Sequence, residues 1–227
     1  MKQYIIPFIF LLLLFPYCST PTSSTLEKNQ TSQTYSETVG MDDSLSESLR
    51  HNCSLWLNSW EKGLETDSFA LVRSYTASLS TDWEEFDISG KDFSDYRDKI
   101  YYSPNGSYAL DLYSYSLILT RKGAETHAVV DADIQVYLID ILHHQRRPVL
   151  FLGPSSSIND GYWLSDSTVV LVGWERCFKC PEEAYTPIVS IVNVFTGKTV
   201  EYYHKSAFSH YNGDFLKQKF PKIIFDD

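Results

Sequence analysis

The chain has 227 residues, a length that supports one buried core and leaves little room for a second. Aromatic residues make up 15% of it, with 16 tyrosines and 13 phenylalanines, and this composition favours half-buried β-sheet surfaces over exposed helices. The formal net charge of −10 leaves no basic surface that could neutralise a phosphate backbone, so nucleic acid is excluded as an expected partner.

The first 17 residues are typical of an export signal. Lys2 supplies a positive start, residues 5–15 are almost wholly apolar, and Cys18 leads into a polar run of serine and threonine. An apolar core of about eleven residues is too short to span the roughly 30 Å hydrocarbon layer as a helix. A permanent transmembrane anchor is therefore not expected.

A cysteine placed just after the apolar core resembles the lipobox of bacterial lipoproteins. In that family the signal is removed, and the cysteine becomes N-terminal and acylated. The resemblance implies that Cys18 carries a lipid and that the exported protein is held at the outer membrane or a periplasm-facing membrane. The alternative is an ordinary signal peptide in which Cys18 has no such role.

Residues 18–40 consist mainly of small polar side chains, which are too poor in apolar surface to offset the entropy lost on ordering. They are predicted to form a disordered tether. Residues 41–227 then form a single β-rich domain. Its first element is predicted to be a helix over about 43–62, with an apolar stripe that packs on a sheet. The stripe consists of Leu45, Leu49, Trp56, Trp60 and Leu64.

Residues 69–79 are compatible with either a helix or a strand, and the acidic passage that contains Trp83, Phe86 and Phe93 is predicted to be a loop. From Ile100 onwards, short apolar strands alternate with turn residues, and two stretches share the same order of turn, strand, strand and return strand. The strands of the first stretch are predicted at 107–113, 136–140 and 148–151, and those of the second at 168–173, 189–193 and 198–202.

A turn such as Ser103-Pro104-Asn105-Gly106, followed by a buried strand and a strand that ends in Asp140 or its counterpart, resembles the blades of WD40-like and TolB-like propellers. The resemblance covers roughly residues 101–204 and implies antiparallel sheets. Two blades can be recognised in the sequence, and a closed propeller usually needs at least four. An open or incomplete pair of sheets is therefore expected. The order of segments also resembles a group of exported lipoproteins from Bacteroidetes-type bacteria, a resemblance that implies no activity.

Three cysteines remain if Cys18 is acylated, and thiols outside the cytoplasm tend to pair. Cys177 and Cys180 have the spacing of a redox or half zinc site, but they lie in a loop between strands, and there is no second such pair to complete a zinc site. The sequence predicts either a disulfide between these two or a disulfide from one of them to Cys53. No metal and no cofactor are expected.

The sequence contains no nucleophile elbow, phosphate-binding glycine loop or zinc-protease motif, and no residue is assigned a catalytic role. Adjacent carboxylates such as Glu84-Glu85 point to opposite faces of a strand. The preferred interpretation is a module that binds a protein or glycan of the cell envelope. The alternatives are an envelope hydrolase whose acidic residues converge only in the fold, and a purely structural lipoprotein.

Overall fold

Antiparallel strands dominate the part of the chain that the structure, a computed structural model, describes, which is residues 39–209 and 215–226. The predicted signal peptide, Cys18 and nearly all of the predicted tether lie outside these residues. The strands are, in chain order, β1 (Phe69–Thr76), β2 (Glu84–Glu85), β3 (Tyr101–Tyr102), β4 (Tyr108–Asp111), β5 (Leu117–Lys122), β6 (Glu125–Val130), β7 (Ile134–Asp140), β8 (Gln145–Leu152), β9 (Ser156–Ser165), β10 (Thr168–Arg176), β11 (Tyr185–Asn193), β12 (Lys198–His204) and β13 (Ile223–Phe225). The prediction of a mainly β fold with antiparallel sheets is confirmed.

The strands form three sheets, none of which is closed. The first sheet has the order β1-β12-β11-β10-β9, and the second sheet has the order β2-β8-β7-β4-β3. The small sheet, with the order β13-β6-β5, contains the one parallel pair among the described strands, β13 with β6. Because β9 to β12 are consecutive neighbours, they form an up-and-down meander, and β1 is added outside β12.

Helices cover one face of the first sheet. The helices are α1 (Asp43–Asn52), α2 (Ser54–Asn58) and α3 (Phe215–Lys219), and short 3-10 turns lie at Thr66–Ser68, Lys91–Phe93 and Arg97–Lys99. The side chain of Asp42 accepts a hydrogen bond of 2.7 Å from the Leu45 amide and so caps α1. The range expected to form one helix up to about residue 62 is divided, because Cys53 leaves the helical conformation with φ −121° and ψ 27°.

Two apolar clusters lie on opposite faces of the first sheet. On one face Val170 and Val172 pack with Leu49 and Trp56 of the helices. On the other face the neighbouring strand residues, including Leu171, pack with residues of the second sheet. Residues 169–173 of β10 are all buried because both faces of this strand are covered. For this reason the sequence shows a continuous apolar run here and no alternation with polar residues.

The turn between β11 and β12 forms where the sequence predicts it. In the turn before β12, the side chain of Asn193 accepts hydrogen bonds from the amides of Phe195 and Thr196, and Gly197 adopts a φ of 71°. A side chain at Gly197 would also approach the carbonyl oxygen of Ala77 to 2.1 Å. Only glycine fits this position without a shift of the backbone.

Within the described ranges, no helix combines the length and the apolar character that crossing a membrane requires.

Candidate binding cleft

A bulge in β1 places an arginine on the polar face of the first sheet. Leu71 pairs with Tyr202 and Arg73 pairs with Glu201, so Val72 is the extra residue of β1. In a regular strand, residues 71 and 73 lie on one face, whereas Tyr202 and Glu201 lie on opposite faces. The bulge therefore turns Arg73 towards the face that carries Glu201.

Arg73 joins two glutamates and two tyrosines, which we call the Arg73 cluster. Glu201 accepts hydrogen bonds from Nε of Arg73 and, at 2.9 Å, from the hydroxyl of Tyr75. The hydroxyl of Tyr203 donates to Oε2 of Glu175 at 2.6 Å and lies 3.5 Å from Oε2 of Glu201. A terminal nitrogen of Arg73 lies 3.8 Å from Oε2 of Glu175. Two carboxylates from β10 and β12 thus share one guanidinium group.

The two tyrosines of the Arg73 cluster flank the guanidinium and remain protonated. Cζ of Arg73 lies 5.7 Å from the ring centre of Tyr75 and 5.5 Å from that of Tyr203, distances at which a cation is attracted to the ring. Burial and the carboxylate of Glu201 raise the pKa of Tyr75 to about 12. Burial, followed by the hydrogen bond to Glu175, raises the pKa of Tyr203 well above its ordinary value. Both phenols therefore donate hydrogen bonds at neutral pH.

Four members of the Arg73 cluster line a cleft of about 90 Å³ between the first sheet and β8 of the second sheet, namely Arg73, Tyr75, Glu175 and Glu201. The cleft has a large apolar lining, formed mainly by Val149, Leu150 and Leu152 of β8 and by Ile158 of β9. The cleft has room for water molecules or for one unbranched side chain.

Ser190 and Glu175 each contribute to the cleft an atom that has no hydrogen-bond partner among the described residues. Ser190 is only 7% exposed, lines the cleft, and its hydroxyl bonds to none of them. Glu175 uses only Oε2, which leaves Oε1 without a partner. Ser190 is nearly buried, and Glu175 is 32% exposed, so both acceptors can bond to water or to a ligand that donates hydrogen bonds.

No protein-family model, curated protein or solved structure matches the chain.

A second polar cluster, which we call the Asp160 cluster, lies in the interior. Oδ1 of Asp160 accepts hydrogen bonds from the hydroxyl of Tyr101 at 2.6 Å and from the Gly161 amide at 2.8 Å, and Oδ2 lies 2.6 Å from Nζ of Lys219. The hydroxyl of Tyr113 lies 3.3 Å from that of Tyr101 and donates to a backbone carbonyl. The side chain of Asp160 is only 4% exposed, and both of its oxygens have partners. This cluster is closed.

The cysteines differ in their surroundings. Cys177 and Cys180 form a disulfide in the loop between β10 and β11, which is one of the two pairings that the sequence left open. Cys53 is a free, fully buried thiol, and burial together with the carboxylate of Asp160 raises its pKa well above the ordinary value. Because Cys53 lies in the apolar cluster beneath α1 and α2, it cannot reach the exposed loop of the other two.

Other charged side chains in the described ranges are paired or spread apart. A larger cavity of about 410 Å³ is lined by Lys99, Arg121 and Lys219, each of which is paired with a carboxylate. His143, in the turn after β7, lies 2.9 Å from a carboxylate oxygen of Asp140. No group of three or more histidine, cysteine, aspartate or glutamate side chains in the described residues is arranged to hold a metal ion.

Sequence reasoning named none of the five residues of the Arg73 cluster as site residues. Two of them lie in β1, which the sequence left ambiguous between helix and strand, and the bulge at Val72 has no signal there. The alternation of polar and apolar residues in β12, where Glu201 and Tyr203 flank Tyr202, was the one visible sign of a polar face. Cys18 lies outside the described residues.

Proposed function

We propose that this protein is an envelope-anchored binding module. In this proposal a lipid on Cys18 holds the exported chain at a membrane, residues 18–40 form the tether, and the β-rich domain binds a protein or glycan of the envelope. The observation that carries the proposal is the cleft, in which the hydroxyl of Ser190 and one oxygen of Glu175 have no partner within the described chain. A site whose hydrogen-bond acceptors have no protein partner is suited to a ligand that donates hydrogen bonds.

The Arg73 cluster favours binding over catalysis. The carboxylate of Glu201 is already bonded to Arg73 and Tyr75, so it is committed to the protein's own groups. Tyr203 is held protonated and is therefore not a nucleophile at neutral pH.

We also propose that the two larger sheets are propeller-type blades. The meander of β9 to β12 supports this interpretation, as does the order of β3, β4, β7 and β8, into which the β5–β6 hairpin is inserted. In this proposal the helices between residues 43 and 58 pack on the first blade and take the place of a neighbouring blade. The pair then remains open.

Capture of the partner from membranes tests the anchor and the binding function together. The tagged protein and a Cys18→Ala variant are expressed in native cells, mildly cross-linked, solubilised in detergent and analysed by mass spectrometry and glycan analysis. We expect the native protein to remain with the membrane and to capture one near-stoichiometric component. The Cys18→Ala variant should leave the membrane.

The possible results of this experiment separate the parts of the proposal. Membrane retention that does not depend on Cys18 would disprove the lipid anchor. Absence of any enriched protein or glycan would disprove the binding function and favour a purely structural lipoprotein.

A second candidate function is hydrolysis, because Glu175 and Glu201 converge on one tyrosine hydroxyl within 3.5 Å although they lie on different strands. Paired carboxylates are the usual groups of glycoside hydrolysis. The test is hydrolysis of a panel of chromogenic glycosides by the wild type, Glu175→Gln and Glu201→Gln. Turnover that both substitutions abolish would establish the enzyme, and absence of turnover would remove this candidate.

A further inference from the structure

We infer that a second site, the cavity beside the small sheet, binds the phosphate group of a phosphorylated sugar. This cavity shares no lining residue with the cleft, so the inference goes beyond the proposed function and does not depend on it. It follows from the walls of the cavity, their charge and the hydrogen-bond donors that the lysines of the cavity keep free.

Three parts of the chain enclose this cavity, which has a volume of about 410 Å³. Arg121 of β5, Thr126 of β6 and Ile223 of β13 pair in one row across the small sheet and form the first wall. The segment with the last two 3-10 turns forms the second wall, and the end of α3 with the turn that follows it forms the third. The hydroxyl of Tyr96 donates to the Leu117 carbonyl at 2.8 Å and so fixes the second wall on β5. Basic residues that are distant in the sequence therefore line one space.

The cavity carries an excess of positive charge although the chain has a formal net charge of −10. Two carboxylates, Asp95 and Asp98, belong to the lining, and a third, Asp160, contacts Lys219 from the interior. Within the described residues, four cations thus face three carboxylates, which leaves one positive charge in excess. The four cations are Lys99, Arg121, Lys219 and Lys222.

Two of the lysines are open to an anion. Nζ of Lys99 lies 2.6 Å from the carbonyl oxygen of Asp95 and 2.7 Å from Oδ1 of Asp98. The side chain of Asp98 is 80% exposed, so its ion pair with Lys99 is screened by water, and an anionic ligand can replace it. Lys222 is exposed and forms no ion pair with any described residue. Both ammonium groups therefore have N–H donors for a ligand.

These donors favour a phosphate over a carboxylate. A planar guanidinium matches a carboxylate best, but Nε of Arg121 is already 3.1 Å and 3.3 Å from the two carboxylate oxygens of Asp95. An ammonium acts as a point charge, and a phosphate ester offers three acceptor oxygens and up to two negative charges. Lysines that approach from different walls can each bond to a different phosphate oxygen.

The rest of the lining favours a sugar as the group that carries the phosphate. The volume of the cavity lies within the range of about 300 to 1,000 Å³ that is usual for small-molecule sites. Ser94 and Thr126 contribute hydroxyl groups that bond to none of the described residues. Phe220, Pro221 and Ile223 contribute apolar surface, on which the C–H groups of a sugar ring can pack. A sugar supplies hydroxyls and C–H groups together.

The test measures binding to the full chain by NMR shifts of backbone amides in residues 94–99, 121–126 and 219–223. The detergent is an amine oxide and the buffer is free of phosphate, so neither competes with the ligand. The probe is glucose 6-phosphate. Glucose, glucuronate and inorganic phosphate are the comparison ligands, and glycerol 3-phosphate represents the headgroup of a phospholipid.

We expect glucose 6-phosphate to shift these amides and glucose to leave them unchanged. Glucuronate should bind at least about threefold more weakly, because it carries one negative charge where the phosphate ester carries up to two. Inorganic phosphate should bind about threefold more weakly, because it leaves the apolar wall uncovered. Glycerol 3-phosphate should also bind more weakly than glucose 6-phosphate.

Three substitutions test the assigned residues. Lys222→Gln should weaken binding of glucose 6-phosphate by about two- to fivefold, the effect of one exposed ion pair. Lys99→Met should weaken it by at least about tenfold, because the side chain of Lys99 is only 10% exposed and its hydrogen bond to an anion is poorly screened. Asp98→Asn should strengthen binding by about twofold, because it removes the carboxylate that competes for Lys99. If Lys99→Met does not fold, the two variants at exposed side chains decide.

The matched control is Lys179→Gln, which removes the same charge from an exposed loop outside the cavity and should leave affinity unchanged. Equal binding of glucose, an unchanged affinity of Lys222→Gln, or weaker binding by Asp98→Asn would overturn the inference. Tighter binding of glucuronate would assign the cavity to carboxylates, and tighter binding of glycerol 3-phosphate would assign it to a lipid headgroup. Either result would overturn the phosphorylated sugar.

Failure of this site and failure of the proposed function give different results, because the soluble sugar phosphate tests the cavity without the anchor or the envelope partner. If it does not bind while the chain still captures a partner from membranes, the binding module stands and the phosphate site is wrong. If it binds and no partner is captured, the phosphate site stands and the envelope function is wrong.

Discussion

The Arg73 cluster and the Asp160 cluster contain the same types of residue but differ in whether any hydrogen-bond acceptor remains without a protein partner. Each combines a buried carboxylate, a basic side chain and two tyrosines. In the Asp160 cluster both carboxylate oxygens are bonded to groups of the protein, and the side chain is 4% exposed. In the Arg73 cluster the guanidinium is half exposed, and Glu175 keeps a free oxygen.

This difference separates a structural role from a binding role. A closed network in a dry interior strengthens each of its hydrogen bonds and makes the loss of any member costly. An open network at a cleft loses part of that strength to water but keeps acceptors for a ligand. We therefore expect substitutions in the Asp160 cluster to act on stability and substitutions at Glu175 to act on binding.

The largest effect is expected for Asp160→Asn. This substitution removes the charge that faces Lys219 and should lower the free energy of unfolding by about 3 kcal/mol, because a partly buried ammonium loses its partner. Urea denaturation followed by tryptophan fluorescence measures the change. A double variant, Asp160→Asn with Lys219→Met, should recover part of the loss. A change below about 1 kcal/mol for the single variant would show that the cluster is not a structural centre.

A smaller effect is expected for Arg73→Met. The buried carboxylate of Glu201 loses its cation but keeps hydroxyl donors from Tyr75 and Tyr203. The free energy of unfolding should fall by about 1.5 kcal/mol, the typical contribution of a hydrogen bond to a charged group. Arg73→Lys is the matched control and should retain part of the stabilisation that Arg73→Met loses. A loss as large as that of Asp160→Asn would contradict the distinction between the two clusters.

The Arg73 cluster should also respond to alkaline pH. The pKa of Tyr75 is raised to about 12, above the value of about 10 in an unfolded chain. The stability that its protonated phenol contributes is complete below about pH 10 and is lost as the pH rises through about 12. Tyr75→Phe should therefore make the free energy of unfolding fall less steeply above pH 10.

Urea denaturation at a series of pH values between 9 and 11.5 checks this prediction on the wild type and Tyr75→Phe. The slopes should differ by less than one proton, since Tyr75 is partly exposed. Tyr102→Phe, at an exposed tyrosine outside both clusters, is the control and should leave the slope unchanged. Identical slopes for the wild type and Tyr75→Phe would show that Glu201 does not hold this phenol.

The smallest effect on stability is expected for Glu175→Gln. Its side chain is 32% exposed, and the amide that replaces the carboxylate can still accept the hydrogen bond from Tyr203. The free energy of unfolding should change by less than about 0.5 kcal/mol, the range of exposed ion pairs. A larger loss would place Glu175 among the structural residues and would weaken its assignment to ligand binding.

Six of the strands after residue 100 could be located from the sequence because their signals are local, namely β4, β7, β8, β10, β11 and β12. Apolar runs of five to nine residues end at turn residues such as Asn193 and Gly197, whose side chain or backbone freedom forms the turn directly. These strand and turn positions depend on neighbours in the chain, so the amino-acid sequence by itself determined them. The spacing of Cys177 and Cys180 allowed their disulfide but left a pairing with Cys53 open, and the structure decided between the two.

The two clusters were decided by the tertiary structure alone. Arg73 and Glu201 are separated by 128 positions, and they meet only because β1 is added outside β12 and because the bulge turns Arg73 to the matching face. Asp160 and Lys219 meet because α3 returns to β9. No periodicity along the chain records which strand will become a neighbour or where a bulge will change the face, and for this reason the candidate cleft was not predictable from the sequence.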